Sequence, residues 1–278
     1  MITIDTDPIL VSNIFSKTVH ISETDLSVKP YPHIGFILKS SDSSALCMLD
    51  ADCNIFPIKN PPQIKHIKPL AAEQSVFIKQ LLNKDIPLNI ATGAAGTGKS
   101  LLAISAALNL VLHQESPYNQ VLFIKPLSEV GSHRMGSVPG NVREKLAPYI
   151  SSFMDSIELY LDDPTGRELA LLEAKQVIQF HPINYLRGRS IRNSIIVIDE
   201  AQNISLDEMK TICTRIGANS KMFMLGDIRQ SDEKHSASGL KKLLSSTDLH
   251  ESSLVSFQNL EKNHRSPLSA LLDKVLHS

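Results

Sequence analysis

From Ile86 onward the chain is punctuated by short apolar runs: 86–92 (IPLNIAT), 121–125 (VLFIK), 177–180 (VIQF), 194–198 (SIIVI), 221–225 (KMFML) and 254–257 (LVSF). Runs that do not alternate predict strands covered on both faces, as the strands of parallel sheets are. Helical stretches lie between them. Ser100 to His113 is apolar almost all round, and a mostly helical, proline-broken region covers roughly 141–174. Strands alternating with helices and joined by right-handed crossovers predict an α/β fold with a doubly wound, mainly parallel sheet.

The first 60 residues read differently. Short β-like runs, HIGFILKS, ALCML and NIFPI, are joined by the turn-rich SDSS and DADCN, which predicts a small β-meander. The segment NPPQIKHIKP that follows holds three prolines and reads as a linker. The expected division is a β-rich accessory region over 1–60, a linker over 61–69 and the α/β domain over 70–278. No internal repeat or low-complexity tract is present.

Composition narrows the class. Lys and Arg number 28 against 29 Asp and Glu, so global charge does not hold this chain to nucleic acid, although a local basic patch escapes that test. Cys47, Cys53 and Cys213 are an odd number at no metal-ligand spacing and read as reduced thiols. The start MITIDTDPIL lacks the pattern of a signal peptide. No apolar run approaches the roughly 18 residues that span a bilayer. A soluble, cytoplasmic protein without membrane contact is the expectation.

The chemistry begins at GAAGTGKS, which fills every fixed position of G-x-x-x-x-G-K-[ST] between a strand and a helix. Gly93, Gly96 and Gly98 let the backbone turn tightly. With Ala94, Ala95, Thr97 and Leu101 they form a loop whose N–H groups can cradle phosphate at a helix N-terminus. Lys99 supplies a cation for the β- and γ-phosphates, and the Ser100 hydroxyl can ligate Mg²⁺. A phosphate loop alone separates neither kinase from ATPase nor ATPase from GTPase.

A second acidic feature helps. IVIDEAQN places Asp199 and Glu200 side by side after a buried run. Either they are solvated acids at a strand end, or Asp199 serves the metal while Glu200 polarises an attacking water. LGDIRQ repeats the strand-then-acid theme and offers Gln230 as a γ-phosphate or water contact. Gln74, on a helix upstream, is either an exposed glutamine or a partner for the N6/N7 edge of adenine. Arg187, Arg189 and Arg192 in YLRGRSIR, and Arg134 and Arg143 in the Gly-rich stretch after the second strand, could grip a nucleic-acid backbone or a neighbouring subunit. Arg265 in NHRSP is a candidate arginine finger.

Taken in order, GAAGTGKS, YLRGRS, VIDEAQN, CTRIGANSKM and LGDIRQ make residues 69 to 278 resemble the PhoH-like ATPases, whose core is similar to superfamily 1 helicase motors. The resemblance implies a single RecA-like domain binding ATP and Mg²⁺. It implies a ring-shaped homo-oligomer, hexameric in the family, and roles in RNA or phosphate-starvation biology. It makes Lys99, Ser100, Asp199, Glu200 and Gln230 the nucleotide site and Arg265 the finger. Two departures stand out: too few residues precede the linker for the nuclease domain that members often carry, and EKNHRS replaces the usual surroundings of the terminal arginine. Three activities follow as expectations. The first is an ATP-driven enzyme on single-stranded RNA or DNA. The second is a nucleotide-driven switch that binds a protein partner through residues 1–60. The third is a small-molecule kinase, against which a glutamate directly after the metal aspartate argues.

Overall fold

A computed structural model of the chain describes residues 1–26, 29, 31–126, 142–186, 188, 190–230, 238–264 and 275, with the backbone alone for 142–149, 184 and 185. In chain order the elements are β1 (Ile2–Asp5), α1 (Pro8–Ser16), β2 (Val19–His20), β3 (Gly35–Lys39), β4 (Ser44–Leu49), β5 (Asn54–Pro57), α2 (Ala72–Leu82), β6 (Leu88–Gly93) and α3 (Lys99–Leu112). Then come β7 (Gln120–Lys125), α4 (Val142–Leu161), α5 (Arg167–Ala174), β8 (Ile178–Pro182), β9 (Ser194–Ile198), α6 (Leu206–Cys213), β10 (Lys221–Gly226), α7 (Gly239–Leu244), α8 (Thr247–His250) and β11 (Val255–Leu260). The chain divides into two compact units: Met1–Gln63 with Lys68–Lys99 and Thr247–Ser278, and Ile64–Ile67 with Ser100–Ser246.

The first unit holds a five-stranded sheet in the order β1-β3-β4-β5-β2. It is more than the expected meander, because β1 pairs parallel to β3 and α1 follows β1. The helix has a clear local cause. Asp7 caps it, its side chain accepting the Ile9 N–H at 2.7 Å, and Pro8 occupies the first turn, where no intrahelical N–H is needed. Val11 and Ile14, three apart and so on one helix face, join Phe36, Leu38, Cys47 and Leu49 in the core. Burial pushes the Cys47 thiol up to about 12, which makes it unreactive, and all three cysteines are free.

The same unit carries α2 and the parallel pair β6–β11, in register from Leu88 opposite Val255 to Gly93 opposite Leu260. The accessory sheet packs on α2 directly. A Cβ on Gly35 would come within 2.5 Å of Val76 Cγ2, so only glycine lets the helix approach β3 there. Gln80 Nε2 donates to the His33 carbonyl at 2.8 Å, and buried Asn89 donates to Ser256 Oγ at 2.6 Å and to the Gln80 carbonyl at 3.2 Å. Residues 1–60 are therefore built into the unit that carries β6, and the division expected at 61–69 does not coincide with the boundaries of the compact units.

The second unit is a parallel sheet in the order β10-β9-β7-β8. All five residues of β9 are buried, as its unbroken run predicts. The ring of Phe123 stacks on Phe180 at 5.4 Å and tilts against Phe153 of α4 at 5.2 Å. The helical region over 141–174 is two helices. Asp163 marks the break between them by accepting the Thr165 and Glu168 N–H groups at 2.9 and 2.7 Å. The linker reading needs correction over Ile64–Ile67. Ile64 is fully buried and bridges Ile67, while Lys65 Nζ donates at 3.0 Å to the carbonyls of Tyr160 and Leu161, two of the orphan acceptors at the end of α4. Both isoleucines around the Lys-His pair are buried, which the flanking prolines conceal in the sequence. Among the described residues no helix is long and apolar enough to cross a membrane.

Candidate nucleotide site

In the first unit, β6 ends at Gly93, whose φ of +146° and close approach to β11 both demand glycine: a Cβ would lie 2.1 Å from the Leu260 carbonyl oxygen. Ala94 and Ala95 follow, and Gly96 and Gly98 hold φ of +81° and +89°. The loop is tied down from within. Thr97 Oγ1 donates to the Ala94 carbonyl at 2.9 Å, and Lys99 Nζ donates to the carbonyls of Gly93 and Ala94 at 2.6 and 2.7 Å. The ammonium is thus held against the loop at the spot where α3 begins. Gly93→Ala is expected to destabilise the fold by about 3 kcal/mol, as forcing a side chain into a backbone contact does. Chemical denaturation that finds a loss below about 0.5 kcal/mol, within the range of a neutral surface change, contradicts this.

Gln74 is not the exposed glutamine of the first reading: it is buried, its Oε1 accepting the Leu70 N–H at 2.6 Å and its Nε2 donating to the Thr97 carbonyl at 3.0 Å. The bond to Thr97 braces the phosphate loop against α2, and the bond from Leu70 ties the start of α2 to the chain just before it. Glu73, missed in the sequence, is buried beside it and accepts the N–H groups of Glu261 and Lys262 at 3.0 and 2.8 Å. The segment they begin donates back to the loop through His264 N–H on the Gly96 carbonyl at 2.9 Å. Polar residues packed inward on a helix leave no periodic trace, and because α2 also carries Ser75, Lys79 and Gln80, nothing in its pattern marks Glu73 and Gln74 as buried.

In the second unit, Ser100 Oγ donates to Asp199 Oδ2 at 3.0 Å. Leu101 follows in α3. Asp199 closes β9 and is buried, and Glu200 comes next with φ +56°, a left-handed turn uncommon for a residue with a side chain. The turn Ala201–Asn203 folds back so that Gln202 Nε2 donates to Glu200 Oε2 at 2.6 Å, while Gln202 Oε1 accepts the Asp227 N–H at 3.0 Å. Sequence reasoning gave Gln202 no role, although it stands inside IVIDEAQN, and its bond to the Asp227 N–H ties that motif to LGDIRQ. Gln230 is exposed at the end of the turn Ile228–Gln230.

The remaining expectations divide. Arg192 is exposed just before β9, at the end of the strand opposite Asp199, so the strand keeps the two apart. Arg143 lies in α4, and its side chain is outside the described residues, as are Arg134, Arg187, Arg189 and Arg265 altogether.

Burial pushes the Asp199 carboxyl above its ordinary range, and the neighbouring Glu200 charge adds to this, while Ser100, the Glu200 N–H and Lys125 pull it back. A raised folded-state value means that stability present at acid pH is lost as pH rises through it, because ionising the buried group then costs free energy. Asp199→Asn removes the ionisation and keeps an oxygen for Ser100, but it sets an NH2 against the Glu200 N–H that Oδ1 accepts at 3.0 Å, a loss that is the same at every pH. Relative to the parent, the melting temperature of the nucleotide-free variant is therefore expected to stand about 3 °C more favourably at pH 8 than near pH 4. An equal difference from the parent at the two pH values overturns this reading of the charge.

The pair Ser100–Asp199 offers a hydroxyl and a carboxylate and no nitrogen or sulfur, a donor set that suits a hard cation. Among the described residues no three His, Cys, Asp or Glu side chains gather as a metal cage. Two protein oxygens fit Mg²⁺, which keeps several waters and is completed by phosphate oxygens.

A parallel strand leading through GAAGTGKS into a helix, with an acid-tipped parallel strand whose aspartate meets the loop's serine, defines a P-loop NTPase. Residues 66–276 match the family described as PhoH-like protein, and the chain belongs to that family. Protein PhoH2 of Bacillus subtilis is 38% identical over 170 residues, which cover 61% of this chain and 38% of that protein. Protein PhoH2 of Mycolicibacterium smegmatis is 29% identical over 248 residues, 88% of this chain and 55% of the relative. The chain thus spans about half, or less, of the length of these relatives. Among solved structures, the Pif1 helicase of Candida albicans aligns with a TM-score of 0.39 at 16% identity, over 75% of this chain and 43% of that one.

Proposed function

We propose that the chain is a Mg²⁺-dependent ATPase of the PhoH-like family that works on single-stranded RNA or DNA as a homo-oligomer. The observation that carries the hydrolytic reading is the hydrogen bond from the Ser100 hydroxyl to the Asp199 carboxylate. It joins the last residue of the phosphate loop to the acid-tipped strand. In this reading the loop N–H groups of 93–99 bind the phosphates, and Lys99 leaves its loop carbonyls to follow the β- and γ-oxygens. Ser100 and Asp199 would hold Mg²⁺, which, when bound, neutralises charge that builds on the phosphates. Glu200 takes the proton of the attacking water. A glutamate directly after the aspartate favours hydrolysis over transfer to a metabolite.

The nucleic-acid part of the reading rests on the basic segments around Arg134, Arg143, Arg187, Arg189 and Arg192, and the oligomeric part on the family. Arg265 serves as the finger, and a ring would let each subunit complete its neighbour's site. ATPase rate, measured with and without single-stranded RNA and DNA on protein of determined sedimentation behaviour, tests all three parts. Stimulation of an oligomer supports the proposal. Turnover indifferent to nucleic acid transfers support to a nucleotide-driven switch, and full turnover by a strict monomer removes the ring.

A further inference from the structure

The turn after Asp199 contains a device that the motifs leave unassigned. Gln202 is 2% exposed, and its amide is divided between two elements. The nitrogen donates to Glu200 Oε2 at 2.6 Å, and the oxygen accepts the Asp227 N–H at 3.0 Å. Only one orientation of the amide satisfies both. A carboxylate can only accept and a backbone N–H can only donate, so reversing the amide would set two acceptors and two donors face to face. The surroundings are fitted to that orientation. A Cβ on Gly226 would lie 3.0 Å from Gln202 Oε1 and 2.5 Å from Leu240 Cδ2, so glycine there keeps the space that the amide fills. The Gln202 carbonyl accepts Ser238 Oγ at 3.2 Å, which fixes the backbone of the turn. Glu200, with its left-handed φ of +56°, directs the chain back to make the contact.

The geometry points to Gln202 as a positioning residue: it sets the rotation of the Glu200 carboxylate from one side and holds the loop Asp227–Gln230 from the other. A donor fixed on Oε2 leaves the carboxylate one orientation in which to present Oε1. The same side chain makes the placement of the loop that carries Gln230 depend on the placement of the base. Gln202 does not touch the reacting atoms and acts through Glu200. The inference rests on the reading of Glu200 as the general base, and its test separates the two.

Gln202→Met keeps the length and volume and removes both hydrogen bonds. Its effect is measured alone and in a Glu200→Gln background, by steady-state and single-turnover hydrolysis with nucleotide affinity alongside. The chain has no tryptophan, so Ile228→Trp, at an exposed position beside Asp227, gives a single emission reporter for the loop. Expected results are a fall in kcat of roughly 10- to 100-fold, as for a displaced catalytic group, with KM and nucleotide Kd changed less than about 3-fold. In the Glu200→Gln background the further loss falls below about 3-fold, because the group through which Gln202 acts is gone. With the Ile228→Trp reporter in place, emission maximum and anisotropy change on adding Gln202→Met without nucleotide. Equal losses in both backgrounds, or Kd rising in step with the fall in kcat, overturn the positioning role. Unchanged emission from the reporter overturns the hold on the loop. If the parent protein does not hydrolyse ATP, the hydrolytic reading fails, and the emission arm decides the Gln202 bridge by itself.

Discussion

Lys99→Ala is expected to leave a folded chain that binds no measurable nucleotide and shows no turnover. Lys99 Nζ is held by two carbonyls of its own loop, those of Gly93 and Ala94. Its work in the resting protein is therefore to keep a cation at the floor of the loop. Removing it costs little scaffold, because the loop retains the Thr97 bond to Ala94, the Gln74 bond to Thr97 and the His264 bond to Gly96. It removes the one flexible cation that the motif supplies to the phosphates, and bonds to charged groups are worth about twice neutral ones. Titration calorimetry with Mg·ATP, run beside thermal unfolding, checks both halves. Binding at the parental Kd takes Lys99 out of the site, and a collapse in melting temperature makes the loss of binding a folding effect.

Glu200→Gln is expected to separate binding from hydrolysis: ATP is held near the parental Kd while turnover falls by roughly 10²- to 10⁴-fold, the range for a lost general base. The substitution is close to silent structurally. A glutamine oxygen at 200 still accepts the Gln202 donor that Glu200 Oε2 accepts at 2.6 Å, and the left-handed backbone does not change. What is lost is the ability to take a proton. Hydrolysis at the parental rate in a phosphate-release assay would show that another group activates the water.

The parts of the site that are legible in the sequence are those fixed by spacing. Residues 194–198 form β9 as expected, because an unbroken apolar run ending in an acid pair has one way to sit in a parallel sheet. The phosphate loop is set by its glycines, and Gly93 shows why, since β11 leaves no room there for a Cβ. What spacing cannot show is where a polar side chain turns when it is buried. Gln74 and Gln202 both look like surface amides, and both are buried connectors. Their roles are set by partners 23 and 25 residues away, which no local window contains. The first helix is a different kind of miss: Asp7–Pro8 is a local start signal that a search for strand alternation overlooks. Ile64 and Ile67 are hidden by their proline neighbours, and their burial shows that a breaker-rich segment can still be anchored.

The unit that carries Gly93 to Lys99 is assembled from three stretches of chain, with the other unit lying almost wholly between the second and third. This sets an order for synthesis. The stretch 100–246 is available to fold as soon as it leaves the ribosome, whereas β6 can pair with β11 only once residues 255–260 have been made. Pairings that distant in sequence form late and slowly. During translation the glycine-rich turn has no β11 beside it, and the Glu73 carboxylate has not yet met the N–H groups of Glu261 and Lys262. The nascent chain can therefore close its acid-tipped strand before its finished phosphate cradle, which needs β11 and the residues to His264 that follow it.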